Sequence, residues 1–217
     1  MNQPKHNEST EFIQLSIQGI EVDSSERDEC VVWQEFINGN DESLIYIYRK
    51  YADVLFKYGR QFVNRNELVR DSIQELFCEL IDKRKGLSEA RSVKGYLFAS
   101  LKRKIVRSIK KDDKLQFEEE GFNIKSVDQL TTFNQPYEEK DLSLIREKVN
   151  ELPVAQREVL LLYFYEGLGY EEIADIMDIK VRSARSLTYR ALDSLQKFLQ
   201  PHKNVLLTFI LCLGLLS

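Results

Sequence analysis

Val93, Leu97, Leu101, Ile105 and Ile109 stand four residues apart, which lays a single apolar stripe along a helix of about Val93 to Lys111. The other faces of that helix carry Lys94, Lys102, Arg103, Lys104, Arg107, Lys110 and Lys111, seven basic residues, and no acidic one. A basic face without carboxylates for intrahelical pairing has phosphate as its natural counter-charge. The same period of three to four residues recurs through much of the 217-residue chain, and with only 9 Gly and 4 Pro it predicts long helices, not a turn-rich β fold.

Three earlier helices are expected. One opens at Cys30 and contains Val31, Val32, Glu35 and Phe36, before Asn38-Gly39-Asn40-Asp41 breaks it. Asp41 is the expected N-cap of the second, in which Leu44, Ile47, Tyr48, Tyr51, Leu55 and Tyr58 recur at helical spacing. The third begins near Asn66 and closes around Lys83-Arg84-Lys85-Gly86, with cations and a glycine where a helix C-terminus favours them.

Residues 112–141 hold nine acidic residues against three lysines and show little periodicity, which reads as an acidic linker between two domains. The formal net charge of −4 therefore conceals a basic helix beside an acidic tether. Residues 142–200 are helical again. Leu142, Ile145 and Val149 start a helix that stops before Leu152-Pro153, and Pro153 suits the first turn of the next, which runs through Val159 to Tyr165 and breaks at Gly167. A short helix (Tyr170 to Met177), a turn at Asp178-Ile179-Lys180 and a longer basic helix to about Leu199 then form a helix-turn-helix pattern.

The two ends differ from this body. Residues 1–28 are polar and acidic and read as a disordered extension, although Ile13, Leu15, Ile17, Ile20 and Val22 alternate as a short partner-seeking strand would. Residues 201–217 end in an apolar run from Val205, shorter than a membrane span, for packing on this chain, on a partner or on a membrane surface. Cys30, Cys78 and Cys212 form no CxxC pair, and His6 and His202 are far apart, so neither a disulfide framework nor a metal centre is expected. No Gly-rich phosphate loop or nucleophile–base pair is evident, and the expectation is a protein without catalytic residues or cofactors. The polar N-terminus lacks a signal-peptide core, which predicts a cytoplasmic protein.

Leu152 to Ile179, LPVAQREVLLLYFYEGLGYEEIADIMDI, followed by SARSLTYRAL from Ser183 to Leu192, resembles region 4 of the extracytoplasmic-function class of the sigma-70 family. DSIQELF (Asp71 to Phe77) resembles the region 2.2 signature, and GYLFASLKRKI (Gly95 to Ile105) resembles regions 2.3–2.4. The resemblance covers roughly residues 29–199, and the apolar tail is similar to that of the iron-transport (FecI-type) subgroup.

That resemblance implies an all-α protein with sigma region 2 at 29–111 and the region 4 helix-turn-helix at 142–200. The implied function is an RNA polymerase sigma factor that binds the core enzyme and directs promoter-specific initiation. It implies that Asp71, Gln74 and Glu75, with Phe77 beside them, dock the polymerase core; an ordinary solvated face is the other reading of those residues. It implies that Lys83 to Ser92 form the loop that captures a −10 base. Lys102, Arg103, Lys104, Arg107, Lys110 and Lys111 would then hold the −10 backbone. Tyr96 and Phe98 would stack unpaired bases, with core packing as the alternative. Arg103 stands where the family often has Asn, which puts a specific Asn–base contact there in doubt.

In the second domain, Arg182, Ser183, Arg185 and Ser186 would read −35 base edges, with Lys180, Tyr189 and Arg190 nearer the phosphates. Gly169 takes the cap position often held by Ser, and Arg157 reads as a structural residue. The implied partners are core polymerase, promoter DNA and a membrane-bound anti-sigma factor, with a further partner conceivable for residues 1–28. Two other readings stand beside this one: a LuxR-type helix-turn-helix regulator, and a helical anti-sigma or membrane-tethered interaction protein.

Overall fold

The structure, a computed structural model, describes residues 27–111, 122 and 139–200. All regular elements among these residues are helical, and the chain divides into two compact units, Met1–Leu115 and Gln116–Ser217. The alternating segment Ile13 to Val22, most of the acidic stretch 112–141 and the tail 201–217 lie outside the described residues.

The first unit is built from α1 (Glu29–Ile37), α2 (Asp41–Gly59), α3 (Asn66–Lys83), a single 3-10 turn (Arg84–Gly86) and α4 (Val93–Lys111). Asp28 caps α1, its Oδ1 accepting from Cys30 N at 2.8 Å. Gly39, at φ +104°, makes the left-handed turn between α1 and α2 that a residue with a Cβ rarely adopts. The cap of α2 is Asn40 and not Asp41 as expected: Asn40 Oδ1 accepts from Glu42 N at 2.9 Å. Asp41 is instead the first helical residue, where its charge complements the helix dipole and pairs with Arg84.

α4 packs against α2 and α3, with Val93, Leu97, Leu101 and Ile105 fully buried as the stripe requires, while Ile109 is only half-buried near the open end. Gly59 closes α2 at the point where three helices meet. A Cβ there would stand 2.6 Å from Val69 Cγ1 on α3 and 2.9 Å from Ile105 Cδ1 on α4. Beside this apolar contact runs a polar one. Lys104, only 7% exposed, reaches from α4 to α3, its Nζ donating to Glu79 Oε1 at 2.6 Å and lying 3.1 Å from Glu75 Oε1.

The second unit contains α5 (Glu139–Asn150), α6 (Val154–Leu160), α7 (Tyr170–Met177) and α8 (Val181–Leu199). α5 begins three residues inside the stretch read as linker. Pro153 (φ −53°, ψ 144°) is the cap residue ahead of α6, outside the first turn where it was expected. Arg157 is buried, and its Nη1 donates to the Asn150 carbonyl at 2.6 Å, tying α6 to the end of α5. The helix expected through Tyr165 is α-helical only to Leu160; Leu161–Tyr165 form one π turn, and Glu166 N donates to Leu161 O at 3.0 Å. Four successive residues, Val159 to Leu162, are all buried. No regular α-helix puts four consecutive side chains on one face, and the wider turn shifts the helix phase where that run ends.

Asp178, at φ 54°, makes the left-handed turn between α7 and α8. Ala184, Thr188 and Ala191 are buried on the inner face of α8, and their small size lets α6 and α7 lie close against it.

Replacing Gly59 by Ala should destabilise the first unit by about 1–3 kcal/mol through overpacking, despite the better helix propensity of Ala. Trp33, the sole tryptophan, reports this unit in a urea titration, and Gly86→Ala, with nothing within 4 Å of the new Cβ, should leave the midpoint nearly unchanged. A second expectation concerns pH. The hydrogen bond from Lys104 holds the Glu79 carboxyl below its ordinary value of 4.5, burial opposes this, and Lys83 adds to the lowering. A lowered folded-state value contributes stability above the ordinary value and loses it as pH falls through the lowered one. Lys104→Met should therefore unfold at less urea than the wild type near neutral pH, and the gap should narrow as pH falls below 4.5.

Candidate nucleic-acid and polymerase interfaces

The buried stripe of α4 fixes where its cations point. Arg103, Arg107, Lys110 and Lys111 are exposed, and among the described residues no carboxylate pairs with any of the four. Among the described residues, Arg103 Nη2 donates to Ser100 Oγ at 3.3 Å. Lys102 is half-buried with its ammonium 5.9 Å from the centre of the Phe62 ring, and Lys94 lies 5.6 Å from that of Phe98. These cations lie against aromatic faces, which attract them electrostatically.

Two of the expected DNA ligands on α4 prove to be internal. Lys104 is engaged by Glu75 and Glu79 and is not available to a phosphate; its carboxylate partners come from the neighbouring helix, which a reading of α4 alone does not see. The signal was present on α3, where Glu75, Glu79 and Lys83 follow one another at intervals of four, the spacing of one helix face. Phe98 is 0% exposed, its ring 4.6 Å from that of Tyr58, so it packs in the core and offers no surface to a base. Tyr96 is half-buried, with one face tilted against Trp33 at 5.5 Å. The segment 83–92 comprises the end of α3, the 3-10 turn and an irregular stretch from Leu87 to Ser92, after which Ser92 Oγ caps α4 by accepting from Gly95 N at 3.0 Å.

On α3, Asp71 and Glu75 are exposed and Gln74 is half-exposed, so the three form one outward-facing group at spacings of three and four. Phe77 does not belong to that surface. It is fully buried with its ring edge-on to Tyr48 at 4.9 Å, and supports the helix from behind. Glu75 belongs to this group and to the Lys104 bridge at once.

The second unit presents α8 outward. Lys180, Arg182, Arg185, Ser186, Tyr189 and Arg190 are exposed, Ser183 is half-exposed, and Tyr189 is the most open large apolar side chain described, at 64%. No carboxylate occurs between Ile179 and Leu192. Arg190 Nε donates to Ser186 O at 3.2 Å along the helix. The Arg185 guanidinium lies 5.4 Å from the centre of the Tyr170 ring, which stacks on Tyr163 at 4.7 Å and 20°. Burial raises the Tyr170 phenol above its ordinary range, so it stays neutral beneath that cation. Gly169 caps α7, and Glu172 Oε2 accepts from its backbone N–H at 2.6 Å, the half of a capping box that needs no side chain at the cap.

No group of three or more potential metal ligands occurs among the described residues, and no helix among them is long and apolar enough to cross a membrane.

Two family models match the chain in order. Sigma-70 region 2 matches residues 47–115, and sigma-70, region 4 matches residues 142–195. Among curated proteins, the ECF RNA polymerase sigma-E factor of Haemophilus influenzae is 25% identical over 175 residues, covering 75% of this chain and 90% of that one. The RNA polymerase sigma factor YlaC of Bacillus subtilis is 24% identical over 160 residues, covering 72% and 91%. Among solved structures, CnrH in complex with the cytosolic domain of CnrY has the same fold, with a TM-score of 0.55 and 16% identity over 80% of this chain and 98% of that one. The two matched regions together span more than half of the 217 residues and hold both the basic α4 and the exposed helix-turn-helix, and the chain therefore belongs to the sigma-70 family, as an RNA polymerase sigma factor of the ECF class.

Proposed function

We propose that α4 and the preceding segment 83–92 engage the −10 element, that α8 reads the −35 element as duplex, and that Asp71, Gln74 and Glu75 dock the core polymerase. The observation that carries this reading is the pair of exposed basic faces, on α4 and on the 180–191 part of α8, neither holding a carboxylate of its own and each backed by a buried apolar stripe. Arg103, Arg107, Lys110 and Lys111 release counterions on binding the −10 backbone, and the half-buried Tyr96 supplies an aromatic ring there. Lys104 and Phe98 brace α4 from within, and Phe77 braces α3.

On α8, Arg182, Ser183, Arg185 and Ser186 approach base edges, and Lys180, Tyr189 and Arg190 approach phosphates. Such a protein does no covalent chemistry; binding energy from unpaired bases and phosphates offsets the few kcal/mol of unstacking at the −10 element. It acts in the cytoplasm, where polymerase and promoter meet. Region 2 extends over 29–111 in this reading and region 4 over 142–200, with the acidic stretch as tether. A membrane-bound anti-sigma factor is the proposed regulator and the iron-transport type the proposed subgroup, both on the strength of the apolar tail. The match of residues 47–115 to region 2 disfavours a LuxR-type regulator, which has no such region.

Run-off transcription with purified core polymerase, the full chain and a randomised promoter library tests this. Discrete starts behind enriched −35 and −10 elements are expected; core binding without transcripts, or neither, would refute it. Arg185→Ala should relax preference at one −35 position by about 1–3 kcal/mol and leave the others intact. Lys110→Ala should weaken binding evenly across sequences and reduce the salt slope by about one. Lys104→Met should leave that slope unchanged, because its charge is already met by α3.

A further inference from the structure

The segment between α3 and α4 has almost no backbone hydrogen bonding of its own: Leu87 N donates to Arg84 O, and no helix or strand orders Leu87 to Ser92. It is held instead by α1, which lies outside the residues matched to region 2. At the start of the segment, Arg84 places its guanidinium 4.8 Å from the centre of the Phe36 ring and pairs with Asp41. In the middle, Trp33 Nε1 donates to the Ser88 carbonyl at 3.1 Å. Past its end, the Trp33 ring packs on Tyr96. α1 is itself fastened to α2: Glu35 Oε2 accepts from Ser43 Oγ at 2.6 Å, and Glu29 Oε1 lies 2.8 Å from Lys50 Nζ.

We propose that Trp33 is a positioning residue for promoter melting: its indole N–H on Ser88 O and its ring on Tyr96 hold the 84–92 segment in the conformation that receives an unpaired −10 base. This rests on the −10 role proposed for that segment. An irregular loop left free would lose conformational entropy on capturing a base, and a loop fixed beforehand binds with less loss. Trp33 is 1% exposed, so it touches no DNA and acts through the residues it contacts, Ser88, Tyr96 and Phe36.

The test uses full-length protein with core polymerase on a promoter selected from the library. Trp33→Phe keeps an aromatic ring and removes the N–H. Its ratio of transcription from the preferred to a mismatched −10 base should fall by about five- to tenfold, the equivalent of one buried hydrogen bond. Core affinity and −35 preference should not change. Arg84→Met, which removes the hold at the segment's start, should lower the same ratio. A lower urea midpoint with an unchanged ratio in Trp33→Phe would overturn the proposal and leave Trp33 a packing residue.

Replacing residues 87–91 by a Gly-Ser stretch separates the two readings. If that change abolishes −10 preference while Trp33→Phe leaves it intact, only the positioning role falls. If −10 preference survives it, the segment does not read the base, and both fall. Should Trp33→Phe fail to fold, the wild type provides the answer, because Trp33 is the sole tryptophan. Its emission should stay the same when a labelled single-stranded oligonucleotide of the selected −10 sequence binds, with binding followed by the label's anisotropy, because the segment is already held around Trp33. A saturable shift in emission on binding would mean that the segment rearranges around Trp33 and would overturn the proposal.

Discussion

Burial of the α4 stripe against α2 and α3 fixes the azimuth of every other side chain on that helix. Leu97, Leu101 and Ile105 are wholly removed from water, each contributing about 1.5–3 kcal/mol, and the helix cannot rotate without exposing them. Gly59 brings α2 close enough for Ile105 and Val69 to meet over its missing side chain. Arg103, Arg107, Lys110 and Lys111 are outward because the stripe is inward. The proposed nucleic-acid surface needs no dedicated scaffold; it is the far side of a core.

The Lys104 bridge joins this surface to the one proposed to dock the polymerase. Lys104 is drawn inward by Glu75 and Glu79, and Glu75 stands beside Asp71 and Gln74 on the outer face of α3. A buried ammonium is costly unless well partnered, and the Glu75 and Glu79 carboxylates meet that requirement. A charge expected from the sequence to hold phosphate thus binds one helix to another, and couples the placement of the proposed DNA face to that of the proposed docking face.

The second unit solves a different problem with the same means. Val159 to Leu162 crowd apolar side chains into a run no regular helix can bury on one side, and the π turn at Leu161–Tyr165 follows. Small residues on the inner face of α8 let it sit close to α6 and α7, which leaves its basic face outermost. Arg185 rests on the Tyr170–Tyr163 stack, so one cation of the basic face has an aromatic support at little conformational cost.

Periodicity in the sequence was enough to locate the helices of both units, including the bounds of α4 and α7, because a 3.6-residue repeat of apolar residues is a local signal. Glycine, asparagine and aspartate marked the breaks for the same reason, although which of Asn40 and Asp41 caps α2 depended on backbone geometry at one residue. The motifs in α3, α4 and the helix-turn-helix also sufficed to indicate a sigma factor, since those residue types recur at fixed spacing. Tertiary structure alone decided which members of those motifs face outward. Phe98 and Tyr96 are two apart on one helix, yet only the first lies fully inside the core. Lys104 and Lys110 are both lysines of one basic helix, yet among the described residues only the first meets carboxylates, and these come from another helix. Trp33 and Ser88, 55 residues apart, carry no shared sequence signal. Their hydrogen bond exists because packing brings α1 to a loop that cannot order itself.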